Sequence, residues 1–126
     1  MLPELRPEVE RLVRSKRELD RLDRRIDVLQ LAAAGASAEN PDTRELARAV
    51  KRRNQLVEGL KQGIQEIQTQ GPVVKDLERG LLDFYSLAGD QLIFLCWQLG
   101  ESEVSHWHTL EGGFASRQPL HRSERE

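Results

Sequence analysis

Leu92-Ile93-Phe94-Leu95-Cys96-Trp97 is apolar at six successive positions. As a strand it points Leu92, Phe94 and Cys96 one way and Ile93, Leu95 and Trp97 the other. A strand that is apolar on both faces has to be covered on both faces. The segment therefore belongs inside a sheet, and each side of that sheet needs a partner layer.

Ala88-Gly89-Asp90 precedes this stretch, and Leu81-Leu82-Asp83-Phe84-Tyr85 precedes those turn residues. The pattern predicts a β-hairpin. With Ala88 and Gly89 as the central turn residues, Tyr85 faces Leu92, Asp83 faces Phe94 and Leu81 faces Cys96. Asp83 and Cys96 then share a sheet face, an inference that a one-residue slip would undo. Val73-Val74-Lys75 is a further short strand, and His106-Trp107-His108 reads as an edge strand reached through Gly100-Glu101. Glu111-Gly112-Gly113-Phe114 reads as loop, and the charged residues 121–126 are expected to be a disordered tail.

Upstream the periodicity is helical. Leu5, Val9, Leu12, Leu19, Leu22, Ile26 and Leu29 recur mostly three or four apart, predicting a helix over about 5–34. Pro3 and Pro7 belong near its first turn. The stretch from Gly35 to Pro41 breaks the pattern; Asn40-Pro41 and Asp42 with Glu45 are equally good start signals for a second helix. Leu46, Val50, Val57, Leu60, Ile64 and Ile67 form the second stripe, which Gln70-Gly71-Pro72 ends. Two helices of this length with a short connection form an antiparallel hairpin. Gly59 and Gly63, four apart, fit either close helix approach at a dimer seam or two tolerated glycines.

The fold expectation is thus α+β: a long antiparallel helical hairpin followed by a small antiparallel β-sheet cassette. One domain, 1–126, comprises the hairpin over about 5–70, the cassette over 73–120 and the tail. One face of the sheet can be covered by the helices. The other has no obvious cover in so short a chain, so a homodimer is expected, joined through helices and sheet face.

Composition narrows the function. A net charge of −2 gives no overall steering toward nucleic acid or anionic lipid. The basic cluster Arg48, Lys51, Arg52 and Arg53 lacks aromatic interleaving and sits among acids, so it reads as a solvated helix face and a nucleic-acid role is disfavoured. No segment approaches the roughly 20 apolar residues of a membrane span, and no signal-peptide core opens the chain. A cytoplasmic protein is expected. Phosphate loops, nucleophile elbows and dinucleotide fingerprints are absent.

Chemistry concentrates late in the chain. All three Phe, both Trp, the only Tyr, the only Cys and two of the three His fall between Val73 and Leu120. Asp83 among apolar neighbours needs a partner, for which Lys75, Arg79, His108 and Arg117 are candidates. His106 and His108 project from one strand face; with Cys96, Glu101 and Asp83 they supply ligand types for a divalent metal, though no strong spacing signature is present. The same residues also fit a buried hydrogen-bonded network. Cys96, in an apolar run beside Trp97, reads as a buried thiol rather than a nucleophile.

Val74-Lys75-Asp76, Arg79-Gly80-Leu81, Asp83-Phe84, Leu95-Cys96-Trp97, Gly100-Glu101, Val104, Trp107-His108, Gly113-Phe114 and Arg117-Gln118-Pro119-Leu120 together resemble an uncharacterised bacterial family, catalogued as domain of unknown function 2203. The opening Leu2-Pro3-Glu4-Leu5 is similar as well, and members usually carry a short segment ahead of it. Members have a helical region followed by this cassette, so the resemblance implies the same fold. They often have Pro at the position of Tyr85 and a residue such as Tyr at that of His106, so the resemblance supports His108 over His106. It implies no activity. It does imply a recurrent polar set of Asp83, Glu101, His108 and Arg117, with Cys96.

Two functions remain open. One is a self-associating protein without catalysis. The other is a small-ligand or metal-binding protein, enzymatic or not, with Asp83, Glu101 and His108 as ligands or acid–base groups and Arg117 as an anion clamp. The candidate metal set is Cys96, Glu101, His106 and His108.

Overall fold

The computed structural model describes residues 2–113 and 116–120; the expected tail lies outside them. Helix α1 spans Leu2–Ala32 and helix α2 Pro41–Thr69. Strands β1 (Val73–Asp76), β2 (Leu81–Ala88), β3 (Gln91–Gln98), β4 (His106–Thr109) and β5 (Gln118–Pro119) follow as an antiparallel meander in chain order. The architecture is α+β, a helical hairpin followed by a small sheet. No helix among the described residues is long and apolar enough to cross a membrane.

The helices form where the stripes lie. Leu5, Val9, Leu12, Ile26 and Leu29 are buried on α1, and Leu60 and Ile67 on α2, while Leu56 takes the buried place expected of Val57. Asn40 opens α2: its Oδ1 accepts from the Asp42 N–H at 2.8 Å, with Pro41 as the first helical residue. Pro7 lies beyond the first turn of α1 rather than in it, because the helix begins at Leu2. Across the hairpin, Arg52 meets Glu18 at 3.0 Å, Arg25 meets Glu45 at 3.0 Å and Arg53 meets Asp23 at 3.9 Å. These exposed pairs contribute little energy each, but they align the helices and engage two members of the basic cluster. Gly63 lies within the hairpin, where a Cβ would overlap the Leu12 side chain; nothing lies near Gly59.

The sheet docks on one end of the hairpin. Leu5, Val9, Leu12 and Val13 of α1 and Leu60 and Ile67 of α2 pack with Leu82 and Trp97. Trp97 is fully buried, donates its indole N–H to the Glu101 carbonyl at 2.9 Å and lies beneath the Arg6 guanidinium. Arg6 also donates to the Ser102 carbonyl at 3.1 Å, tying the turn after β3 to α1. Toward the far end of the hairpin a separate cluster of Ile26, Leu29 and Ala49 closes the helices on each other.

Two expectations about the sheet are corrected. The hairpin turn centres on Gly89 and Asp90, not Ala88 and Gly89, so Tyr85 faces Phe94, Asp83 faces Cys96 and Leu81 faces Gln98. Gly89 has φ +62 and Asp90 no positive φ, as a type II′ turn requires glycine in its first central place. Moving the turn by one residue moves the pairing by two, so Asp83 and Cys96 still share a face. Strand β4 is not the edge either; the two-residue β5 pairs outside it, with Pro119 tolerated because an edge position asks for no further N–H.

The second face of the sheet is covered within the chain where cover matters most. Phe94 and Cys96 are 4% and 0% exposed, opposite the face that meets the helices. Lys75 lies 4.7 Å over the Phe94 ring, and Leu110, Gly113 and Arg117 of the segment following β4 border the same face. What stays uncovered is the hairpin end: Tyr85, Leu87 and Leu92 are exposed.

Gly80 joins the turn between β1 and β2 to α1. It has φ +64, and a Cβ would lie 2.7 Å from Leu99 Cβ and 3.1 Å from Val9. Gly80→Ala is expected to cost at least the ~1–2 kcal/mol of a left-handed non-glycine residue. Gly59→Ala, on an open helix face, is expected to add about 0.5–1 kcal/mol. Urea unfolding of the two variants checks the opposite signs.

Candidate functional site

Three adjacent strands bring the polar residues together. On the face away from the helices the cross-strand rows are Tyr85, Phe94 and His108, then Asp83, Cys96 and His106. The first row is an aromatic stack, with ring centroids 4.7 Å apart from Tyr85 to Phe94 and 5.2 Å from Phe94 to His108. Asp83 on β2 and His108 on β4 reach toward each other across β3, and Asp83 Oδ2 lies 3.0 Å from His108 Nε2. Both residues are buried, at 1% and 3% exposure.

The other ring nitrogen decides the chemistry of this contact. His108 Nδ1 lies 2.8 Å from the Thr109 carbonyl oxygen, which can only accept, so Nδ1 carries a proton and donates. A neutral ring then has no proton on Nε2. A carboxylate facing it at hydrogen-bond distance therefore requires one proton between the two groups, carried by either partner. The pair is neutral as a unit, which is how two ionisable groups tolerate this burial.

Asp83 Oδ1, buried on the same carboxylate, has no hydrogen-bond partner among the described residues. Cys96, fully buried between the two strands, completes the cluster: its Sγ, an Asp83 carboxylate oxygen and a His108 ring nitrogen all lie within 4.8 Å of one another. Burial pushes the Cys96 thiol up to about 12; Arg117 opposes the shift, while the charge of Asp83, a weak thiol hydrogen bond to the Asp83 carboxylate and the charge of Glu101 add to it. The free protein thus holds a protonated, inaccessible thiol, unsuited to act as a nucleophile.

Glu101, Arg117 and His106 form a second group beside this one. Arg117 donates to Glu101 Oε1 at 3.0 Å and Oε2 at 3.2 Å. Glu101 Oε1 also accepts the Gln98 N–H at 2.7 Å, bracing the turn after β3. His106 Nδ1 lies 3.4 Å from Glu101 Oε2 and 3.0 Å from the Ser105 hydroxyl. Glu101 therefore serves several structural partners at once. Of the candidate metal residues, Cys96 and His108 stand with Asp83, while Glu101 and His106 stand in this neighbouring group.

An open cavity of about 270 Å³ lies over Asp83 and His108. Leu81, Phe94 and Leu110 supply apolar walls, and Lys75, Asp76 and Arg79 also line it. Larger grooves, of about 450 and 540 Å³, run along the helices among polar side chains and contain none of the cluster.

The family described as Uncharacterized conserved protein (DUF2203) matches residues 1–120, covering both helices and all five strands. The chain belongs to this family. No curated protein and no solved structure matches it. Within the matched stretch, two groups of residues stand on opposite faces of the sheet. Gly80 and Trp97 hold the sheet on the helices, whereas Asp83, Cys96, Glu101, His108 and Arg117 lie together on or beside the opposite face.

Sequence reasoning missed two participants. The Thr109 carbonyl sets the His108 ring, but a backbone acceptor has no sequence signature. Arg6 braces the Glu101 turn from 95 residues away, and nothing on an arginine-rich helix marks it out.

Proposed function

We propose that this protein binds a small ligand in the cavity over Asp83 and His108, on the sheet face turned from the helices. The observation that carries this reading is Asp83 Oδ1, a buried carboxylate oxygen that no N–H or O–H among the described residues satisfies, on a residue that lines an open cavity. A buried polar atom without a partner is costly, of order 1–3 kcal/mol, and a bound group that donates to it or carries positive charge removes that cost. Apolar walls with a few convergent polar groups suit a small molecule with an apolar body and a polar head. The proton shared by Asp83 and His108 is available to such a ligand, so acid–base chemistry is compatible with the site.

Leu110 is 46% exposed on the cavity wall, so Leu110→Trp narrows the cavity without disturbing the core. Saturation-transfer NMR with a library of small carboxylic acids, amines and aromatic fragments is expected to give binders whose signal drops in Leu110→Trp. No binders, or binders indifferent to the substitution, contradict the reading.

A second reading, association of two copies in the cytoplasm, is supported by the β2–β3 hairpin end. Leu87, 69% exposed, lines a groove of about 280 Å³ with Ile93, Leu95, Trp107 and Leu120, and Tyr85 and Leu92, 57% and 40% exposed, lie on the other face of the same hairpin end. Apolar side chains beside an apolar groove suit a self-complementary contact. Light scattering is expected to give a dimer mass for the native chain and a monomer mass for Leu87→Asp. A monomer mass for the native chain at micromolar concentration contradicts it.

A further inference from the structure

Asp83, Cys96 and His108 supply a carboxylate, a thiol and an imidazole, one from each of three adjacent strands, and all three are buried. Such donors can gather for packing alone. Three features of this cluster go further.

The first is the orientation of His108. With Nδ1–H held by the Thr109 carbonyl, Nε2 is turned into the cluster, where loss of the proton shared with Asp83 frees its lone pair. A histidine that ligates a metal is commonly held in this way, its second nitrogen donating to a backbone carbonyl that fixes tautomer and ring angle. The second is Asp83 Oδ1, which no N–H or O–H among the described residues satisfies, so that the carboxylate, with only the weak Cys96 thiol donor beside it, has capacity for a cation. The third is charge. The free cluster is neutral, with one proton between Asp83 and His108 and one on Cys96. A divalent ion replacing those two protons meets one carboxylate, one thiolate and one neutral imidazole, and the cluster is neutral again. A monovalent or trivalent ion leaves net charge on a buried site.

We propose that Asp83, Cys96 and His108 bind one divalent transition-metal ion, with Zn²⁺ the best chemical match, through a carboxylate oxygen, the thiolate sulfur and Nε2. This deepens the ligand-binding reading and rests on it. Thiolate and imidazole select against Mg²⁺ and Ca²⁺, which take oxygen ligands. Bonds of roughly 2.0–2.3 Å in a tetrahedron set donors about 3.3–3.8 Å apart. The donor atoms already lie within 4.8 Å of one another, with Asp83 Oδ2 and His108 Nε2 at 3.0 Å, so binding asks for adjustments of no more than about 1 Å. Three protein ligands leave a fourth position, and the 270 Å³ cavity that borders Asp83 and His108 is where a ligand atom or water would fill it. Because two protons leave as the metal enters, affinity rises with pH.

The test is titration of untagged, chelator-treated full-length protein with Co²⁺, then competition by Zn²⁺. The expected result is one equivalent bound, a sulfur-to-cobalt charge-transfer absorption, and release of close to two protons per ion in weakly buffered solution. Cys96→Ser is expected to abolish the charge-transfer band. Asp83→Asn and His108→Gln are expected to weaken binding by more than the roughly tenfold that loss of an outer-shell partner costs. Circular dichroism separates those effects from unfolding, and the native chain's spectrum tests the proposal even if both variants fail to fold. Native protein that is folded yet shows no saturable binding overturns the proposal, as does a cobalt spectrum lacking the sulfur band or unchanged in Cys96→Ser. Fragment binding that persists in metal-free protein, alongside failed metal titration, overturns the metal and leaves the cavity reading standing. Failure of both removes both.

Discussion

The contact between Asp83 and His108 across β3 is the constraint around which the sheet is arranged. Two ionisable side chains this deeply buried are tolerated when they neutralise each other, and at 3.0 Å with a shared proton they do. Removing either partner strands the other, at a cost of about 3–5 kcal/mol for a buried pair. The pair also fixes geometry. Asp83 and His108 sit on strands that never pair directly, so their meeting requires β2, β3 and β4 to hold register together.

Everything else in the cassette stabilises that register from one side or the other. Beneath the sheet, Leu82 and Trp97 anchor β2 and β3 on the α1–α2 hairpin. Beyond the end of β3, Glu101 holds the turn with its own carboxylate on the Gln98 N–H, while Arg117 brings the returning chain back over the face. Arg6 closes the loop from α1 to that turn. The long helices thus serve as a rigid base, and the face they leave uncovered carries the polar cluster. Their own side grooves are lined largely by charged and polar side chains, Arg52 and Glu18 among them as a cross-hairpin pair.

Much of this was legible in the residues. Period 3.6 in Leu5–Leu29 and Leu46–Ile67, and the two-faced apolar run Leu92–Trp97, dictate helices and a central strand whatever the details. The shared face of Asp83 and Cys96 survived a misplaced turn because antiparallel pairing preserves parity when the turn moves by one residue. The turn itself was misread because glycine's need for positive φ at the first central place outranks the polarity of its neighbours. The second cover for β3 was sought outside the chain because the segment after β4 reads as loop, and loops reveal nothing of where they return. The meeting of Asp83 with His108 was one of several pairings on offer; choosing among them required the diagonal reach over β3, which spacing does not encode. Of the polar set, Glu101 and Arg117 fall into a bracing role visible only once the turn they hold is known.

The central claim is that His108 is locked in one orientation, Nδ1–H on the Thr109 carbonyl and Nε2 turned to Asp83. Long-range ¹H–¹⁵N correlation spectra of the His108 ring in metal-free protein test it directly. A slowly exchanging proton on Nδ1 is the predicted result. A bare Nδ1, with the only ring proton on Nε2, would contradict the account.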